Sequence, residues 1–125
     1  MRFLKERKED RQAVMENKTI KEVAADFFRV IINGIAKNSS KGYALIVIHG
    51  IKKSLAKEFP FVRLVHTTEN SIDVDDKINS VDPHKVGKLF VRIINLLGPN
   101  LLKLLIKKEL DQGNLEYLNK MGVKF

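Results

Sequence analysis

The chain has 125 residues, no cysteine and a formal net charge of +8. That length suits one domain, and 44% hydrophobic residues argue against disorder over most of it. The missing cysteine excludes disulfides, thiolate catalysis and cysteine-ligated metal.

Residues 1–18 read as a charged N-terminal arm. Arg2, Lys5, Glu6, Arg7, Lys8, Glu9, Asp10 and Arg11 crowd it, and Phe3, Leu4, Val14 and Met15 are its apolar groups. Such a segment stays free or docks as a surface helix. A single helical domain is expected over 19–125. Thr19 and Glu22 stand at capping-box spacing, where each side chain can satisfy a free amide at a helix start. Ile20, Val23, Ala24, Phe27, Ile31 and Ile35 then recur at three- and four-residue steps, the mark of a helix packed on a core. This helix is expected to end near Asn38. Ser39 or Ser40 can cap a second helix over 41–57. Its Leu45-Ile46-Val47-Ile48 run would also suit a strand, but Lys52, Lys53, Leu55, Ala56 and Lys57 follow without a turn signal.

Pro60 interrupts the helical pattern. Phe61-Val62-Arg63-Leu64-Val65-His66 reads as a strand, Thr68-Glu69-Asn70-Ser71 as a turn, and Ile72-Asp73-Val74-Asp75 alternates at period two. A β-hairpin near 61–75 follows, and two strands alone must lean on the helices. Asp82 and Pro83 open a third helix as cap and first residue, with Val86, Leu89, Phe90, Ile93 and Leu97 as its stripe. Gly98 and Pro99 stop it. A fourth helix is expected over 100–111 with Gly113 ending it, and a short one over 114–121. The expected fold class is mainly α (α+β), with four to five helices and one small β-hairpin in the middle of the chain.

Catalytic and ligand motifs fail on spacing. Leu45-Ile46-Val47-Ile48-His49-Gly50 resembles the strand and His-Gly turn before an oxyanion hole in α/β-hydrolases, but no Gly-x-Ser-x-Gly elbow is present. Gly50-Ile51-Lys52-Lys53-Ser54 echoes a phosphate-binding loop whose glycine spacing it lacks. Asp73, Asp75 and Asp76 begin like a calcium loop, yet Ile78 stands where Gly is needed and His84 where Glu is needed. His49, His66 and His84 are too far apart to form a helical ligand pair. His66 and Asp73, on facing strands of the hairpin, are the first suspects for a site assembled from distant residues. The reading is therefore no enzyme, with no catalytic residue, metal or cofactor.

Surfaces are more informative. Leu96, Leu97, Leu101, Leu102, Leu104 and Leu105 supply more aliphatic surface than one helix face of a small monomer buries. Either the fourth helix is central or it lies at a subunit interface; Leu97, Leu101, Leu102 and Leu105 are the candidate interface residues. The charge is uneven. Residues 1–60 carry 13 basic and 7 acidic side chains, residues 61–81 carry 2 and 4, and residues 82–125 carry 8 and 4. Two basic segments thus flank an acidic middle. Lys5, Arg7, Lys8 and Arg11 of the arm, Lys52 and Lys53, and the row Lys85, Lys88 and Arg92 are candidate contacts for nucleic-acid phosphates, or a solvated lysine-rich face. No set of side chains suited to base edges is evident.

The order of landmarks resembles small archaeal helical output domains of signal-transduction proteins. It runs through Thr19 and Glu22, Asn33-Gly34-Ile35, Gly42-Tyr43-Ala44, His49, Asp82-Pro83, Leu97-Gly98-Pro99 and the stretch 102–110. The resemblance implies a non-catalytic interaction module and carries no functional residues with it. The expected function is an interaction or regulatory module that self-associates through its Leu-rich helices, with a homo-oligomer or protein partner. The alternative is a nucleic-acid-binding protein. Met1 is followed by charges, so no signal peptide is expected. No uncharged run exceeds about half of the ~20 residues a membrane span needs, so no membrane partner is expected and the expected location is cytoplasmic.

Overall fold

Short polar side chains set most of the helix starts. In the computed structural model, which describes residues 18–124, Thr19 Oγ1 accepts the Glu22 amide at 3.2 Å and opens α1, Ile20–Ala36. Ser40 Oγ does the same for the Tyr43 amide at 3.1 Å and opens α2, Lys41–Leu55. Asp82 caps α3, Pro83–Leu97, with Pro83 in its first turn. Each cap satisfies an amide that has no partner within its helix. Gly98 ends α3 at φ 112°, a conformation side chains resist, and Pro99 begins α4, Pro99–Glu109, at once. Asp111 Oδ2 accepts the amides of Gly113 and Asn114 and opens α5, Gln112–Lys120.

The described residues are mainly helical, with five helices and one small antiparallel hairpin in mid-chain. The strands are β1, Val65–Thr67, and β2, Ile72–Val74, paired Val65 to Val74, His66 to Asp73 and Thr67 to Ile72. The hairpin is shorter than the sequence reading. Residues 61–64, expected as strand, form a 3-10 turn, Pro60–Leu64. Phe59, Val62 and Val65 are buried while Pro60, Arg63 and His66 are exposed. That is a three-residue period, and a 3-10 helix has three residues per turn. A second 3-10 turn, Asp76–Ser80, buries Ile78 in the same way. The end of α4 also differs. Gly113 does not stop it; the chain leaves the helix at Leu110, and Gly113 sits inside the first turn of α5. The arm expected over 1–18, with Lys5, Arg7, Lys8 and Arg11, falls outside the described residues apart from Lys18, whose ammonium meets Asp111 at 3.2 Å.

Helix α1 is the hub. It packs against α2, α4, α5, β2 and the second 3-10 turn. The stripe foreseen from sequence is buried from Ile20 to Ile31, and Phe28, Val30 and Ile32 join it. Phe27 stacks on Phe90 of α3 with ring centroids 4.1 Å apart, and Phe28 meets both edge-on at 5.4 and 5.8 Å. Stacked and edge-to-face rings add about 0.5–1.5 kcal/mol per pair beyond the area they bury.

Two glycines permit close approach. A Cβ at Gly34 of α1 would overlap Leu105 Cδ2, so the missing side chain seats α4. A Cβ at Gly87 of α3 would overlap the Met121 carbonyl, so the end of the chain lies directly on α3. No helix among the described residues is long and apolar enough to cross a membrane.

Candidate interaction surface

Helix α4 carries apolar side chains on two opposed faces. Successive residues turn by about 100°, so Leu102 and Ile106 share one face while Leu101 and Leu104 lie on the other. Leu102 is 8% exposed and Ile106 is fully buried. Leu101 is 80% exposed and Leu104 67%, and Leu96 at the end of α3 is 54% exposed. The turn at Gly98 and Pro99 joins the end of α3 to the start of α4, so the three exposed leucines flank one corner of the chain path.

The four leucines selected from the sequence are therefore divided. Leu101 lies on the exposed face. Leu97 and Leu105 are half-buried and pack against the core, and Leu102 belongs to it. Leu96 and Leu104 replace them outside. Spacing could not make this division, because Leu101 and Leu105 stand four apart just as Leu102 and Ile106 do; only one face of so short a helix turns inward.

A second apolar area lies on α2. Tyr43 and Ile46 are exposed beside a hollow of about 460 Å³ lined by Leu45, Ile46, His49, Thr67 and Glu69. His49 Nδ1 and Thr67 Oγ1 are 2.9 Å apart, a hydrogen bond that ties α2 to β1.

The lysine and arginine candidates fall on different helices. Lys85, Lys88 and Arg92 form an exposed row on α3, and Arg92 meets Glu58 at 3.3 Å. Lys53 of α2 is exposed, whereas Lys52 is half-buried and burial lowers its pKa. His66 and Asp73 face each other in the strand register. The His66 ring nevertheless reaches a different carboxylate, Asp75, at 3.5 Å, and is half exposed. Asp75 also caps the second 3-10 turn through the Lys77 amide, and its pKa is lowered chiefly by that hydrogen bond. Among the described residues no three His, Asp or Glu side chains cluster as metal ligands.

The polar groups of α1 form a clasp on α5. Asp26 Oδ2 accepts from Asn114 Nδ2 at 2.8 Å and from the Asp111 amide at 3.2 Å, while Arg29 Nε donates to Oδ1 at 2.9 Å. Burial pushes the Asp26 pKa up, but the hydrogen bonds from Asn114, Arg29 and Asp111 push it down further, and it lies below the ordinary aspartate value. No family model matches the chain, and no curated protein or solved structure matches it either.

Proposed function

We propose that the chain is a non-catalytic interaction module that self-associates through the corner formed by Leu96, Leu101 and Leu104. The observation that carries this reading is the exposure of Leu101 and Leu104, one turn apart on a helix whose other face is already in the core. Among the described residues nothing covers that face, whereas a second copy can.

A two-fold axis suits the geometry. In an isologous contact residue i meets j and j meets i. Two α4 helices crossing antiparallel near their middle would set Leu101 against the partner's Leu104 on both sides of the axis. Lys107 and Lys108 of one copy would then lie toward the Gly98 and Pro99 corner of the other, away from its lysines.

The three side chains expose the equivalent of about two leucines, and burying a leucine contributes about 1.5–3 kcal/mol. Across both copies that is about 6–12 kcal/mol, against an association cost of about 4–15 kcal/mol. The balance describes a dimer governed by concentration rather than an obligate one. The resemblance to archaeal output domains points to the same kind of module.

Sedimentation velocity over a wide concentration range tests the proposal. The expected result is a concentration-dependent shift from monomer to dimer, lost in Leu101→Glu while the helical circular dichroism is retained. A strict monomer at the highest concentration would overturn it.

A further inference from the structure

Residues 121–124 build a groove that the sequence announced only in part. Helix α5 closes in a Schellman turn: the Val123 amide bonds the Leu118 carbonyl at 3.0 Å, and the Gly122 amide bonds the Asn119 carbonyl at 3.1 Å. Gly122 takes the left-handed φ of 97° that this turn requires. The chain then folds back onto α3. Met121 and Val123 are buried as anchors, and Gly87 lets the strap of residues 121–124 touch the helix.

Two hollows lie along the seam between strap and helix. One, of about 360 Å³, is bordered by Lys88 and Arg92. The other, of about 180 Å³, is bordered by Lys103 and Lys124. They share Val91 and Gly122 as walls, so they adjoin and follow one another along the strap as a single groove-like seam. Phe59, Met121 and Ile94 make the floor apolar. Four cations thus rim one groove, two at each end.

The only carboxylate on the groove, among the described residues, is Glu58, which pairs with Arg92 at 3.3 Å with both side chains about half exposed. Exposed pairs of this kind contribute about 0–1 kcal/mol and yield readily to a competing anion.

We infer that this groove binds the phosphate backbone of a single nucleic-acid strand. The argument rests on charge complementarity and on its layout. The cations do not converge on one point, as they would around a lone phosphate. They are spread along the seam, as a chain of phosphates requires. The apolar floor suits the sugar and base between phosphates. Among the described residues no buried donor lines the groove and its one exposed aromatic ring is His84, too little to read bases, so binding is independent of sequence and dominated by counterion release. The inference is independent of self-association, because none of Leu96, Leu101 and Leu104 lines the groove.

Fluorescence anisotropy of the full chain with a short labelled oligodeoxythymidine tests it. A single strand loses about 0.7 in the salt slope for each phosphate neutralised, so four cations predict a slope of about −3. Affinity should fall roughly fifty-fold between about 50 and 200 mM salt. The double variant Lys88→Glu with Lys124→Glu should lose at least tenfold at low salt. Its control, Lys41→Glu with Lys53→Glu, makes the same charge change outside the groove and should stay within about twofold. No binding by the wild type at about 50 mM salt would overturn the proposal. So would equal losses in the two double variants, which would mean diffuse charge rather than a groove. A mononucleotide binding as tightly as the oligomer would also overturn it, since a single phosphate group would then suffice.

Discussion

Helices α1 and α4 are both rich in large aliphatic side chains, and the fold treats them in opposite ways. Along α1 nearly every such side chain is buried, because the helix is covered by α2, α4, α5, β2 and a 3-10 turn. Along α4 only Leu102 and Ile106 are buried, because the helix packs chiefly on α1 and α3. The same composition is core in one place and exposed surface in the other. What decides is how many neighbours the topology brings to the helix, not how apolar the helix is. A surplus at a peripheral helix is where a partner has most to gain.

Truncation sharpens this contrast most. Phe27→Ala removes a ring stacked on Phe90 and should cost about 3–5 kcal/mol in urea denaturation. Leu104→Ala should change monomer stability by no more than about 0.5 kcal/mol. If the dilute monomer lost several kcal/mol with Leu104→Ala, α4 would be packed on both faces and the contrast would fail.

The sequence foretold α1 well and α4 half-way, for a physical reason. Periodicity marks a stripe when one face is apolar, as from Ile20 to Ile31. In α4 the apolar residues run around most of the circumference, so the pattern alone could not tell Leu102 from Leu101. The turn at Pro60–Leu64 was missed for a related reason. Phe61, Val62, Leu64 and Val65 look strand-like by residue type, but the burial of Phe59, Val62 and Val65 follows a three-residue step. The groove was half legible. Lys88 and Arg92 stood out as a row on one helix, whereas Lys103 and Lys124 join them only through the contact of Gly87 with Met121.

The polar side of α1 offers a smaller effect. Asp26→Ala leaves Asn114 Nδ2 and the Asp111 amide without their acceptor, and should cost about 1–3 kcal/mol. The pH dependence has a definite sign. The carboxylate's pKa is lowered in the folded chain, so its contribution is complete above the unfolded aspartate value of about 4. It is lost as pH falls through the folded value. Chemical denaturation between about pH 6 and pH 3 should therefore show wild type and Asp26→Ala converging as the pH drops. Curves that stay parallel would mean that the clasp does not depend on the charge of Asp26.

The subtlest test uses two glycines, one at the α1–α4 contact and one on an open face. At Gly50 of α2 a Cβ would meet nothing within 4 Å, and its backbone is helical. Alanine loses less conformational freedom on folding, so Gly50→Ala should raise stability by about 0.5–1 kcal/mol. Gly34→Ala brings the same entropic gain, but the new methyl must displace Leu105 Cδ2. That atom is the tip of a flexible side chain, so the leucine can turn aside at the expense of its packing on α1. Gly34→Ala should therefore fall below Gly50→Ala in melting temperature. If the two substitutions stabilised equally, Leu105 would be free to move, and α4 would be held to the hub by Leu102 and Ile106 alone.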